Sequence, residues 1–182
     1  MTPTTTARSW TLTIPAPGDW ELYVGKTRST WRAKPKWLTM NSRLHWRKKD
    51  KIKTLWRAAT REAARAAVTH DGRTVSLPVG QVSRARVDAV VHFTTVLLRR
   101  DGTSRRDIEN WREATKVIVD TLIAGTRTHP GWGFLPDDGT RLHCPDCPHV
   151  REAPEALDTK PPYGPVGLVV VTLTELLPGE AP

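Results

Sequence analysis

Residues 85–100 read ARVDAVVHFTTVLLRR, and residues 107–125 read DIENWREATKVIVDTLIAG. The first run is rich in Val, Phe and Thr and has no helical period, which predicts a long central strand. RDGTS, beginning at Arg100, breaks it. In the second run Ile108, Trp111, Thr115, Ile118 and Leu122 recur at steps of three and four residues, the spacing of one helix face. Gly125 follows where a helix end favours a residue without a Cβ. A strand that hands over to a helix through one short break points to an α+β domain.

The flanking sequence extends this pattern. SWTLTIPAP (9–17) alternates Trp10, Leu12 and Ile14 with threonines before reaching prolines, as a short first strand does. In KKDKIKTLWRAATREAARAAV (48–68) the residues Ile52, Leu55, Trp56, Ala59, Ala63 and Ala66 form a helical stripe. VGLVVVTLTELL (166–177) predicts a last strand buried on at least one face. Residues 18–42 mix Gly, Pro, Lys and Trp without a period and are expected to be largely irregular, and 70–80 to be a loop. Residues 126–165 hold eight prolines and four glycines and are expected to be mostly loop. No internal repeat is present. The expectation is one domain over 1–182, with its core in about 9–142 and 163–177. Its sheet should be small and mostly antiparallel or mixed, with two main helices packed on one side.

The chain has 182 residues, enough for one domain with a sizeable core. It carries 28 Lys and Arg against 19 Asp and Glu, a net charge of +9, which suits a polyanionic partner. The excess is concentrated. Arg43, Arg47, Lys48, Lys49, Lys51, Lys53, Arg57, Arg61 and Arg65 lie within 23 residues, against only Asp50 and Glu62, and beside His45 and Trp46. That density fits a surface tracking a phosphate backbone. No stretch approaches 18 consecutive apolar residues, which excludes a membrane-spanning helix. The first 15 residues lack the apolar core of a signal peptide, and two cysteines make no disulfide framework. A reducing cytoplasm fits best.

Against this basic background the carboxylates need a reason. Asp107 sits where a helix should begin and Glu109 in its first turn, so each has an ordinary role as cap or dipole partner. Asp137 and Asp138, followed by Gly139, are common turn formers. Taken together they suit a different purpose. Mg²⁺ takes one or two carboxylates plus water and substrate phosphate, and Mn²⁺ takes the same hard oxygen donors. Without such an ion these acids would repel the polyanion that Arg105, Arg106 and the basic helix attract. An ion so held activates water and neutralises charge developing on a phosphoryl group.

The run RRDIEN, then Lys116, Asp120 and Leu122, then GFLPDDG (133–139), resembles the RusA-type Holliday junction resolvases. LTMNSRLHWRKK (38–49) is similar to the N-terminal region of phage-borne members of that family. The resemblance covers about residues 10–142 and the closing strand. It implies a Mg²⁺-dependent, homodimeric endonuclease of bacterial or phage origin that nicks two strands symmetrically at a four-way DNA junction. Asp107 and Glu109 stand at the first two motif carboxylates, the second normally Asp, and Asp138 stands at the third. Lys116 stands at the motif lysine, six residues after Asn110 where the family has three. Its implied role is to hold the scissile phosphate or stabilise the leaving group. Asn110 is read as tying the helix start to the loop, and Asp120 as structural or a partner of Lys116.

Two further features remain. HCPDCPH (143–149) places Cys144 and Cys147 at zinc-ligand spacing beside His143 and His149. One seven-residue run is too tight to wrap four tetrahedral ligands, so free thiols are expected, with structural Zn²⁺ as the alternative. Among the eight tryptophans, Trp10, Trp56 and Trp111 fall on apolar stripes and are assigned to the core. Trp31, Trp37, Trp46 and Trp132 are assigned to DNA or dimer contact. The rival to the nuclease reading is a catalytically inactive, architectural DNA-binding protein using the same basic face. An RNA-binding reading lacks the aromatic-rich motif it requires.

Overall fold

The computed structural model describes residues 7–38, 43–93, 112–125, 127, 130–134, 149–152 and 162–177. In chain order these form β1 (Ser9–Pro15), β2 (Gly18–Val24), β3 (Ser29–Pro35), α1 (Trp46–Arg65), β4 (Ala67–Thr69) and β5 (Thr74–Val75). They continue with β6 (Ala85–Phe93), α2 (Arg112–Leu122), β7 (His149–Glu152) and β8 (Gly167–Glu175). One sheet has the order β5-β4-β1-β8-β6-β7, and β2 and β3 form a separate two-stranded hairpin. All pairings are antiparallel except β6 with β7. The α+β class with a mostly antiparallel sheet and two helices therefore holds.

The central register explains the core. Trp10, Leu173 and Val87 stand side by side across β1, β8 and β6, as do Leu12, Val171 and Ala89, and Ile14, Val169 and Val91. All nine are buried. Alternate residues point to opposite faces of a strand, so a slip of one residue would turn all three rows outward. The helices cover this face, with Trp56, Thr60 and Ala64 buried on α1 and Ala114, Val117, Ile118 and Leu122 on α2. Buried hydroxyls bond back within their own helices, Thr60 to the Trp56 carbonyl at 2.8 Å and Thr121 to that of Val117 at 2.7 Å. They add no unsatisfied polar atom to the core.

Residues 18–42 are not largely irregular: β2 and β3 pair over seven residues each, from Gly18↔Pro35 to Val24↔Ser29. The alternation of Trp20, Leu22 and Val24 opposite Ala33 and Trp31 was present in the sequence. It was masked because beyond its root the hairpin is exposed on both faces, so polar residues outnumber apolar ones. At the root the chain is tight. Gly18 has φ +148°, and a Cβ there would lie 2.5 Å from the Lys34 carbonyl oxygen. A Cβ on Gly167 would lie 2.7 Å from the Trp37 ring. Trp37 and Trp132, expected in DNA or dimer contact, instead pack into or against the core. Trp37 stacks at 5.3 Å on Trp56, and the Trp132 indole donates to the Leu77 carbonyl at 2.9 Å. Residues 149–152, expected as loop, form β7, a strand held by pairing with β6 rather than by its own composition. Within 70–80, β5 turns back on β4. The predicted strand 85–100 is described to Phe93, and its remainder lies outside the described residues. β6 is interior to the sheet, as expected.

Candidate nucleic-acid interface

The two helices enter the fold at the same end. From its C-terminus α1 leads into β4, which pairs with Trp10 and Thr11. Midway along, Trp56 donates to the Lys36 carbonyl at 3.1 Å at the hairpin root. The N-terminal half of α1 therefore extends past that root. At the C-terminal end of α2, Phe134 N–H donates to the Leu122 carbonyl at 2.9 Å, and the Phe134 ring meets Trp10 edge-on at 5.3 Å. The opposite end of α2 meets α1 at Glu113. The same end of the sheet holds Phe93, paired with Gly167. Phe93 and Arg112, the described residues flanking 94–111, thus both lie there.

This end is cationic. Arg43, Arg47, Lys48 and Lys51 are exposed, and the first turn of α1 has no acidic residue. Arg47 and Lys48, exposed on the positive end of a helix dipole and without an ion pair among the described residues, are mutually unfavourable unless an anion is supplied. The cap is unusual too: His45 Nδ1 accepts from Arg47 N–H at 3.3 Å in place of the common Ser, Asp or Asn. Trp46 is exposed, with the Arg47 guanidinium 5.2 Å from its ring centre. Such a site offers charge for phosphate and a ring for stacking.

The predicted basic residues divide into two groups. Lys49 donates to Glu113 at 3.4 Å and Lys53 stands 3.6 Å from its other carboxyl oxygen, so both tie α1 to α2. Arg61 donates to the Pro130 carbonyl at 2.6 Å, and Arg65 pairs with Glu62 at 2.5 Å. Arg57 is half-buried. Arg43, Arg47, Lys48 and Lys51 remain as the outward charge. Glu113 was missed by the sequence reading. It follows the two motif acids within the same stretch, but its pairing with two lysines one helical turn apart on α1 is a contact between helices that no local pattern marks.

Lys116 is exposed on α2, and its ammonium lies 3.3 Å from Asp120, the pairing expected from their spacing. Asp107, Glu109 and Asp138 lie outside the described residues, as do Arg105, Arg106, Asn110, Trp111, Cys144 and Cys147. Among the described residues no group of three or more His, Cys, Asp or Glu side chains is placed to hold a metal ion. The donor chemistry of the three motif acids is that of Mg²⁺ or Mn²⁺, hard oxygen throughout. No helix among the described residues is long and apolar enough to cross a membrane.

Compared with protein-family models, with curated proteins and with solved structures, the chain matches none.

Proposed function

We propose that this protein is a metal-dependent endonuclease of RusA type, acting as a homodimer on four-way or branched DNA. One observation carries the reading. The outward cations of α1 and the start of α2 share one end of the fold with Phe93 and Arg112, the two flanks of the acidic segment. The two described residues that flank the segment bearing Asp107 and Glu109 thus lie at the end of the fold where outward cations suit phosphate.

On this reading Arg43, Arg47, Lys48 and Lys51, with Arg105 and Arg106, hold the DNA backbone. Asp107, Glu109 and Asp138 hold Mg²⁺, with Mn²⁺ the alternative; when bound, the ion neutralises charge developing on the scissile phosphate. Lys116, on the exposed side of α2, supplies a point charge to a phosphate oxygen once it leaves Asp120. The site carries one geometric requirement. Phe134 is bonded at the C-terminal end of α2, whereas Asp107 precedes the N-terminal end. Eleven helical residues separate those ends by about 15 Å. The four steps from Phe134 to Asp138 span at most about 14 Å when extended. For the acids to meet, the undescribed steps from Phe134 to Asp138 and from Asp107 to Arg112 must between them close that distance.

The test is incubation of the purified protein with a synthetic four-way junction or a linear duplex, with Mg²⁺ or a chelator. Paired nicks confined to the junction and abolished by Asp107→Asn, with binding retained, are expected. Junction binding without Mg²⁺-dependent cutting would leave the architectural reading standing instead.

A further inference from the structure

We propose that the β2–β3 hairpin is a second DNA-contacting element, an arm whose cationic tip grips phosphate while its apolar face meets unstacked bases at a branch point. The inference rests on the reading of the protein as DNA-binding and adds a surface that reading does not use.

The hairpin is two-faced. Trp20, Leu22 and Val24 share one face with Ala33 and Trp31, because Leu22 pairs with Trp31 and Trp20 with Ala33. Leu22 is 47%, Val24 72% and Trp31 40% exposed, so this face leaves the core as it leaves the root. Trp20, nearest the root, donates to the Gly164 carbonyl at 3.0 Å, and the exposed apolar side chains gathered beyond it mark an interaction surface.

The other face says what kind. Both of its acids are engaged near the root, Glu21 with Lys34 at 2.5 Å and Asp19 with Lys36 at 3.9 Å. Farther out, the Arg32 guanidinium lies over the Tyr23 ring at 3.8 Å and has no carboxylate partner among the described residues. The turn closes through Gly25 N–H to the Arg28 carbonyl at 3.0 Å and presents Lys26 and Arg28, both exposed and without an ion pair among the described residues. Charge thus rises from balanced at the root, through an unmatched Arg32 midway, to two unmatched cations at the tip, Lys26 and Arg28. A protein partner that covered Leu22, Val24 and Trp31 would not require that gradient; a polyanion with accessible apolar bases would. Duplex DNA offers phosphate alone, whereas a junction offers phosphate and base faces together.

The experiment measures binding to a four-way junction and to a linear duplex in chelator, from about 50 to about 200 mM salt. Lys26→Ala/Arg28→Ala is expected to flatten the slope of log affinity against log salt by about 1.8, roughly 0.9 for each phosphate no longer neutralised. Trp31→Ala is expected to weaken junction binding about tenfold, with a smaller effect on duplex, because stacking needs an unpaired base. All three side chains are exposed, so far-UV circular dichroism and Tm should match the parent protein. Unchanged slope and unchanged junction preference in these variants, with the parent still binding, would overturn the arm while leaving DNA binding intact. So would a sedimentation shift from dimer to monomer in Trp31→Ala or Leu22→Ala with DNA affinity preserved, since the face would then serve self-association. A parent protein that binds neither DNA would remove the underlying reading itself.

Discussion

The Lys49 ammonium donates to the Glu113 carboxylate across 3.4 Å, joining the first turns of α1 and α2. With Lys53 on the other oxygen, Glu113 neutralises cations at the end of the fold that carries the exposed Arg43, Arg47, Lys48 and Lys51. The site is only partly exposed, so the pairs are worth more than an open surface bridge but still about 1 kcal/mol net.

Glu113→Gln should therefore destabilise the protein by about 1 kcal/mol in urea unfolding. It should also tighten DNA binding at low salt and steepen its salt dependence by about one to two, because Lys49 and Lys53 become available to phosphate. Stability and slope both matching the parent would show that the carboxylate neither joins the helices nor masks charge.

Trp56 is wholly buried, stacked on Trp37 and bonded to the Lys36 carbonyl, so it couples α1 to the hairpin root. Trp56→Phe should cost about 1–2 kcal/mol through loss of the hydrogen bond, and Trp56→Ala about 3–5 kcal/mol through the added cavity. Equilibrium unfolding reads both. A cost below about 1 kcal/mol for the alanine variant would mean that this side chain is not part of the cooperative core.

Lys116 and Asp120 pair on the exposed side of α2, so Lys116→Ala should leave stability within about 0.5 kcal/mol of the parent. On the proposed mechanism its junction cleavage should fall roughly 10²-fold in kcat with binding unchanged. Asp120→Ala, which frees the lysine, should not reproduce that loss. Equal losses in the two variants would assign the pair a structural role.

Stability should fall on acidification in two separate windows. Burial holds His92 below its ordinary value of 6.5, so the unfolded chain binds its proton first. That contribution is intact above about 6.5 and declines as pH falls below it. The Arg8 guanidinium, bonded to Glu175 at 2.6 and 2.9 Å, holds that carboxyl below its ordinary 4.5. Its contribution is present above that value and lost as pH falls through the depressed one. Urea midpoints across pH should show the upper decline disappear in His92→Gln and the lower one shrink in Glu175→Gln.

Much of the fold was legible because its core strands alternate without interruption. Trp10, Leu12 and Ile14, and Val169, Val171 and Leu173, announce both the strand and its buried face. The basic helix was legible for the same reason, from Ile52, Trp56 and Ala63 against a charged remainder. The hairpin was not, since a strand pair with no buried face leaves little apolar contrast, and β7 was not, because HVRE becomes a strand only beside β6. At the candidate site, the outward cations Arg43, Arg47, Lys48 and Lys51 were foreseeable from charge density. Which cations are turned inward was not, because that depends on Glu113 arriving from another helix. The motif acids Asp107, Glu109 and Asp138 stand as sequence features outside the described residues.

Because Gly18 and Gly167 leave no room for a side chain at the hairpin root, the length of β2 and β3 works as a ruler. Each facing pair of residues adds about 3.4 Å of reach. Deleting Leu22, Tyr23, Thr30 and Trp31, two successive facing pairs, would retract the tip by about 7 Å yet keep the same parity of side chains. Deleting a single pair would shorten it by half as much and exchange the two faces beyond the cut. Reach and orientation of the tip are thus inherited together, in steps of two residues per strand.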